Sequence, residues 1–277
     1  AGDQFLSTDP GYPCHGAFAS VIGTLIENVT LKISAEFQPE LREFESRWID
    51  SVKGILLSSP ANPTGVIARE SNLRQLKEFV DRKGGFLIVD EIYQGINLSN
   101  SIYASALAVD EKIFVLNSFS KYYSMTGWRL GWVVVPYETS EYFTRLAQNI
   151  FLAPNTISQY AALEAFDDKC LATHENRVQI VKQRVVTLCE GLLELGFTIP
   201  VKPEGGFYVF VDISHTGLDS QDFCLKMLME YGVAITPAHD FSHHYGKDYV
   251  RFSCSTDLES IYSGLDRLRS ALVDWGI

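Results

Sequence analysis

The sequence predicts a doubly wound α/β fold with a mainly parallel sheet, followed by a smaller α+β C-terminal domain. Three observations carry this expectation. Short apolar runs rich in branched residues recur at 54–58, 86–90 and 113–117, each ending in polar residues as buried strands do. Between the first two, Leu73, Leu76, Phe79 and Val80 recur at helical spacing. After Pro136 the pattern changes to longer helical stretches and then to a mixed run of strands and helices.

From its first residues, Ala1-Gly2-Asp3-Gln4, the chain lacks an initiator Met and reaches the apolar pair Phe5-Leu6 at once, which reads as the middle of a domain. Ser71 is the expected N-cap of the helix after the first strand, and Gly84-Gly85 stops it before the second. This strand–helix–strand unit places strands in parallel with helices on the sheet faces. Helical patterns then run through Tyr142, Arg145, Leu146 and Ile150, over 158–166, and over 174–195 up to Gly196. Strands are expected at 207–211, 233–235 and 249–252, with helices at 220–231 and from about Asp257 onward. A chain of 277 residues suits two domains, here 1–172 and 173–277.

Hydrophobic residues make up 46% and charged residues 21%, which disfavours disorder, collagen and coiled-coil architectures. The net charge of −11 predicts an acidic surface that repels nucleic acid and anionic lipid, and no basic cluster offsets it. With no apolar run of about 18 residues and no leader pattern, no membrane association is expected and the location read from the sequence is cytoplasmic. Cys14, Cys170, Cys189, Cys224 and Cys254 are odd in number, widely spaced and lack a C-x-x-C pair, so they read as buried thiols rather than disulfides or zinc ligands. His239, Asp240, His243 and His244 lack a supporting partner at ligand spacing and read as a polar loop, so no metal site is expected.

Ligands of open α/β sheets bind beyond the carboxyl ends of the strands. The residues just past the three strands are therefore informative: Ser59-Pro60-Ala61-Asn62-Pro63-Thr64-Gly65, then Asp90-Glu91-Ile92-Tyr93, then Ser118-Phe119-Ser120-Lys121, with Arg129 eight residues further on. This combination suits a phosphorylated aromatic aldehyde. A lysine shielded from water becomes a nucleophile towards carbonyls. A carboxylate at Asp90 keeps a pyridine nitrogen protonated, so that the ring accepts electrons from a substrate carbanion. Ser118, Ser120 and Arg129 offer hydroxyls and a planar fork for a phosphate, and Asn62 and Tyr93 can hydrogen-bond a phenolic oxygen beside the aldehyde.

These three segments, the last running on through Gly127-Trp128-Arg129-Leu130-Gly131, resemble the motifs of the class I/II aminotransferases among the fold-type I pyridoxal-phosphate enzymes. The resemblance implies that Lys121 forms the Schiff base with pyridoxal phosphate and that Asp90 pairs with the ring nitrogen. It further implies that Asn62 and Tyr93 contact the ring oxygen while Ser118, Ser120 and Arg129 hold the phosphate. Asp9-Pro10-Gly11-Tyr12-Pro13 resembles the segment whose aromatic ring stacks on the cofactor, and Tyr249-Val250-Arg251-Phe252-Ser253 the strand whose arginine binds the substrate α-carboxylate. Pro203-Glu204-Gly205-Gly206-Phe207-Tyr208 also fits the family's small domain. The reaction implied moves an amino group between an L-amino acid and a 2-oxoacid, and the assembly implied is a homodimer.

Two other classes compete. Phe86-Leu87-Ile88-Val89-Asp90-Glu91 resembles the strand with which nucleotide hydrolases hold Mg²⁺, but the phosphate-loop string Gly-x-x-x-x-Gly-Lys-Ser/Thr does not occur. A lyase, a decarboxylase or a non-catalytic domain of the same fold stays open, because the protein selects the α-carbon bond that breaks and one sequence does not show that alignment. The resembling family carries roughly a hundred further residues before the Pro-Gly-Tyr-Pro segment, by the usual sizes of its domains. They include a phosphate-cradling loop, so the chain by itself is expected to be a poor transaminase with an uncovered apolar face.

Overall fold

A computed structural model describes residues 2–99 and 103–277; Ala1, at the expected mid-domain opening, lies outside the described residues. The first half of the chain forms β1 (Gln4–Asp9), α1 (Cys14–Val21), β2 (Leu25–Thr30), α2 (Leu41–Glu45), β3 (Val52–Ser58), α3 (Glu70–Arg82), β4 (Phe86–Asp90), β5 (Phe114–Ser118) and β6 (Gly131–Val134). The six strands make one sheet in the order β2-β1-β3-β4-β5-β6, parallel from β2 to β5 and closed by antiparallel β6. The order reverses between β1 and β3, the kind of switch point at which α/β sheets take ligands.

Then come α4 (Ser140–Ile150), α5 (Thr156–Glu164), the long α6 (Asp168–Glu194), β7 (Tyr208–Asp212), α7 (Ser220–Tyr231), β8 (Thr236–Pro237), β9 (Tyr249–Ser253) and α8 (Leu258–Trp275). Strands β7, β9 and β8 form a second, antiparallel sheet in that order. The helix α6 runs unbroken through 172 and 173, where the sequence suggested a junction.

The apolar pattern explains the layers. Ile55, Leu57, Leu87 and Val89 are buried in the central strands, and α3 turns Leu73, Leu76, Phe79 and Val80 onto the same core. Each such side chain removed from water stabilises the fold by about 1.5–3 kcal/mol. A second core gathers Val185, Leu188 and Leu192 of α6, Phe223 and Met227 of α7, Val209 and Val211 of β7, and Leu265 and Leu268 of α8. Phe210, Ala238 and Tyr249 pack into the first core, and Leu98 packs into the second, so the two parts interlock.

Four expectations are corrected by local physics. Ser71 does not cap α3: Arg69 stands in extended conformation at the cap and its N–H donates to Gln38 Oε1 at 2.9 Å, a partner remote in sequence. Helix α6 starts six residues before 174, because Asp167 accepts the Lys169 N–H at 2.9 Å and caps it there. No strand forms at 233–235. The N–H of Val233 closes α7 on Met227 O at 3.0 Å, with Gly232 left-handed at φ 66, so pairing starts only at Thr236. The strands expected at 113–117 and 207–211 each sit one residue later.

One junction between the two parts bears directly on the site. Gly65 has φ +71, and an added Cβ would stand 2.5 Å from Pro203 Cβ. This close approach lets the Glu204 and Gly205 N–H groups both donate to Gly65 O at 2.9 Å. The Glu204 carboxylate accepts from the Ile67 N–H at 3.2 Å and the Tyr103 hydroxyl at 2.9 Å.

Candidate active site

Strand register brings the three polar clusters to one edge. Ser58 lies opposite Asp90, and Asp90 opposite Leu116, so parallel β3, β4 and β5 deliver Ser59, Asp90 and Ser118 at nearly one level. β1 ends nearby, and its turn presents Tyr12. Only glycine fits at position 11 in that turn, since a Cβ would meet Thr8 O at 2.2 Å.

The Asp90 carboxylate is held by two partners. Its Oδ1 accepts the Ile92 N–H at 3.1 Å, and His15 Nε2 lies 3.3 Å from its Oδ2. His15 comes from the first turn of α1 and packs edge-on against the Tyr12 ring at 5.4 Å, so one short helix sets both Tyr12 and Asp90. The Tyr12 hydroxyl is pushed up to about 12, first by its hydrogen bond with Cys14 and then by burial.

Lys121 follows β5, with its Nζ 5.7 Å from the ring centroids of both Tyr93 and Phe207. Ser118 Oγ donates to Leu130 O at 3.0 Å and lies 2.8 Å from Ser120 Oγ, and the Thr126 hydroxyl donates to Ser120 O at 2.7 Å. Arg129 is exposed and left-handed at φ 52, and its Nη1 donates to Thr126 O at 2.8 Å. The β5–β6 pairing of Ser118 with Gly131 puts Arg129 and the two serines in the same hairpin connection.

From the second sheet, β9 supplies Arg251. Its Nη1 donates to buried Asn62 Oδ1 at 2.8 Å, and its guanidinium carbon lies 4.0 Å from the Tyr208 ring and 4.4 Å from the Phe241 ring. Its buried Nε has no partner among the described residues. Burial lowers the Arg251 pKa, and the guanidinium nonetheless stays charged because its ordinary value is so high. Burial also raises the Tyr93 hydroxyl, followed by the Tyr208 side chain, so Tyr93 stays a proton donor at neutral pH.

Contacts link these residues pairwise: His15 joins Tyr12 to Asp90, Lys121 Nζ faces the Tyr93 ring, Tyr93 lies within electrostatic reach of Arg251 and Asp90, and Arg251 binds Asn62, with Ser118, Ser120 and Arg129 on the turn after β5. Sequence reading missed His15, Tyr208 and Phe241. His15 carries no motif of its own, and Phe241 lay in the segment read only as a polar loop. In that loop His239 Nε2 faces Asp219 Oδ2 at 3.2 Å, and among the described residues no group of three or more His, Cys, Asp or Glu could hold a metal ion.

Fold and site together define an enzyme of amino-group chemistry. A profile described as aminotransferase class I and II matches residues 1–268, and the chain belongs to that family. It is 34% identical over 274 residues to a valine–pyruvate aminotransferase of Mycobacterium tuberculosis, covering 98% of this chain and 70% of that protein. At the same 34% it resembles a (5-formylfuran-3-yl)methyl phosphate transaminase of Methanocaldococcus jannaschii, covering 98% of this chain and 69% of that one. The crystal structure of an aminotransferase from Mycobacterium tuberculosis superposes with a TM-score of 0.94 at 33% identity, over 99% of this chain and 71% of that chain. The chain is thus an aminotransferase, and the lyase reading is not favoured.

Proposed function

We propose that this aminotransferase uses pyridoxal phosphate to move an amino group between an L-amino acid and a 2-oxoacid. The observation that carries the proposal is that Tyr93 links the three key groups: Lys121 Nζ stands over its ring, and its hydroxyl feels the charges of both Arg251 and Asp90. The residues fit the cofactor: two hydroxyls 2.8 Å apart and an exposed arginine in the same hairpin connection suit a phosphate, and a carboxylate fixed by His15 and the Ile92 N–H suits a protonated ring nitrogen. When bound, the cofactor supplies an electron sink that makes the substrate α-proton labile.

The protein's own groups do the rest. Lys121 Nζ would hold the cofactor through its aldehyde group and would serve as the base that takes the proton from the substrate α-carbon. Asp90 would keep a ring nitrogen protonated, Tyr93 and Asn62 would donate to a ring oxygen, and Tyr12 would stack on the ring. Arg251 binds the substrate α-carboxylate with the donor capacity that Asn62 leaves free, and its unpartnered Nε fits that role.

The same reading divides the chain into 1–172, bearing the cofactor groups, and 173–277, bearing Arg251, with the assembly a homodimer in the cytoplasm. Five free cysteines suit a reducing compartment, and exposed apolar side chains on α4 and α5 suit a subunit contact. Titrating the holoenzyme with amino acid and then with oxoacid tests the function. The absorbance of the bound cofactor should change with the first and be restored by the second; release of ammonia or carbon dioxide instead would defeat the proposal.

A further inference from the structure

We propose that the Asp9 carboxylate is a positioning residue for Arg251, acting across the junction of the two sheets through the loop that carries Phe241. This inference rests on the carboxylate-binding role given to Arg251.

Asp9 is the last residue of β1, and it is 3% exposed, so its carboxylate needs protein donors. All three that it finds come from one loop more than two hundred residues away in sequence. The Ser242 hydroxyl donates to Oδ1, while the His243 and His244 N–H groups donate to Oδ2 at 3.1 and 3.3 Å. Ser242 is itself buried and accepts the Tyr245 N–H at 2.8 Å, which closes the loop on itself. Two more bonds fasten the same loop to the first sheet: the Gly11 N–H donates to Phe241 O at 2.9 Å, and the Tyr245 hydroxyl donates to Leu31 O at 2.9 Å.

Phe241 is the residue immediately before this anchor, and its ring lies 4.4 Å from the Arg251 guanidinium carbon, with Tyr208 4.0 Å away from it. Among the described residues the guanidinium has one short hydrogen bond, to Asn62, and a long contact with Thr236 Oγ1, at 3.4 Å. A planar cation with one strong bond can still swing about that bond, and the flanking rings determine where its remaining N–H groups point. The Asp9 anchor therefore sets the fork for the carboxylate. Since Gly11 belongs to the same fastening, the segment that presents Tyr12 and the ring that orients Arg251 move together.

The test compares Asp9→Asn and Phe241→Leu with wild type in single-turnover half-reactions of the holoenzyme. Asp9→Asn keeps the side-chain shape and removes an acceptor, so the loop loosens while β1 stays paired. Both variants should raise the apparent dissociation constant of the amino donor about tenfold and leave the limiting rate within about threefold, the split expected when an orienting contact is lost. A variant that merely folds less well would lower the amplitude and leave the dissociation constant alone. Independently of activity, hydrogen exchange at the His243 and His244 amides should accelerate in Asp9→Asn, while amides of β1 stay protected. In an Arg251→Leu background the Asp9→Asn effect on binding should vanish. Unchanged donor binding in both single variants, or an Asp9→Asn effect that persists without Arg251, overturns the inference. If Arg251→Leu itself binds donor normally, the carboxylate role of Arg251 falls and takes this inference with it.

Discussion

In the proposed reaction the chemistry at Lys121 depends on one nitrogen, which the Tyr93 and Phe207 rings flank at 5.7 Å. Borohydride reduction of the cofactor-loaded protein and subsequent peptide mapping should place the pyridoxyl label on Lys121; label on another lysine would refute the assignment. Asp90 and Arg251 should separate kinetically. Asp90→Asn removes the charge opposite the ring nitrogen, so kcat should fall on the order of a hundredfold with KM little changed. Arg251→Leu removes a charge-assisted fork, so KM for both amino acid and oxoacid should rise on the order of a hundredfold. Steady-state kinetics with both substrates distinguishes these outcomes. Lys121 and Asp90 were legible as candidates because each sits in a contiguous motif at a strand end. His15 and Phe241 were not, because neither is marked by its own sequence neighbours and each matters only through what it touches.

The elements that frame the site depend on a few terminal residues. Asp219 caps α7 by accepting the Gln221 N–H at 2.9 Å, and its pKa is lowered first by that bond and next by His239. A carboxylate depressed in the folded state stabilises the fold above its unfolded pKa, and this stabilisation is lost as pH falls through the folded value. Asp219→Ala should therefore cost about 1 kcal/mol near neutral pH, and the difference from wild type in urea denaturation should shrink below the usual carboxylate range. Gly65 acts at a loop rather than a helix end. Gly65→Ala forces an L side chain into a left-handed conformation and against Pro203, so at least about 1–2 kcal/mol of stability should be lost. A Gly65→Ala protein with wild-type urea midpoint would show that the 62–67 and 203–206 loops are not locked together. The βαβ unit was legible because α3 keeps a clean apolar stripe, whereas the end of α7 was misread because Val233-Ala234-Ile235 has strand-forming residues whose first N–H the helix consumes.

For the whole molecule, apolar side chains lie exposed on two consecutive helices. Leu146 and Ile150 of α4 and Ile157, Tyr160 and Leu163 of α5 are all exposed. A subunit contact through this surface predicts that Ile150→Glu combined with Leu163→Glu shifts the protein from dimer to monomer in analytical ultracentrifugation. A double variant that still dimerises would place the contact elsewhere, and a monomeric wild type would refute the homodimer. The acidic balance of −11 adds that association should strengthen with salt if like charges flank the contact.

The sequence by itself determined the α/β class and the order of the three polar strand ends, and it singled out a candidate lysine, carboxylate and arginine, since these depend on periodicity and on contiguous motifs. It left β1 and β2 unassigned, because their mixed polar runs QFLSTD and LIENVT carry no apolar block and pair only when the neighbouring strands are in place. Only the tertiary structure decided that Asp9, at one end of the chain, is satisfied by a loop near the other end, and that Phe241 and Tyr208 enclose Arg251. Buried polar groups must find donors wherever the folded backbone supplies them, and such pairings over long sequence separations leave no periodic trace in the chain.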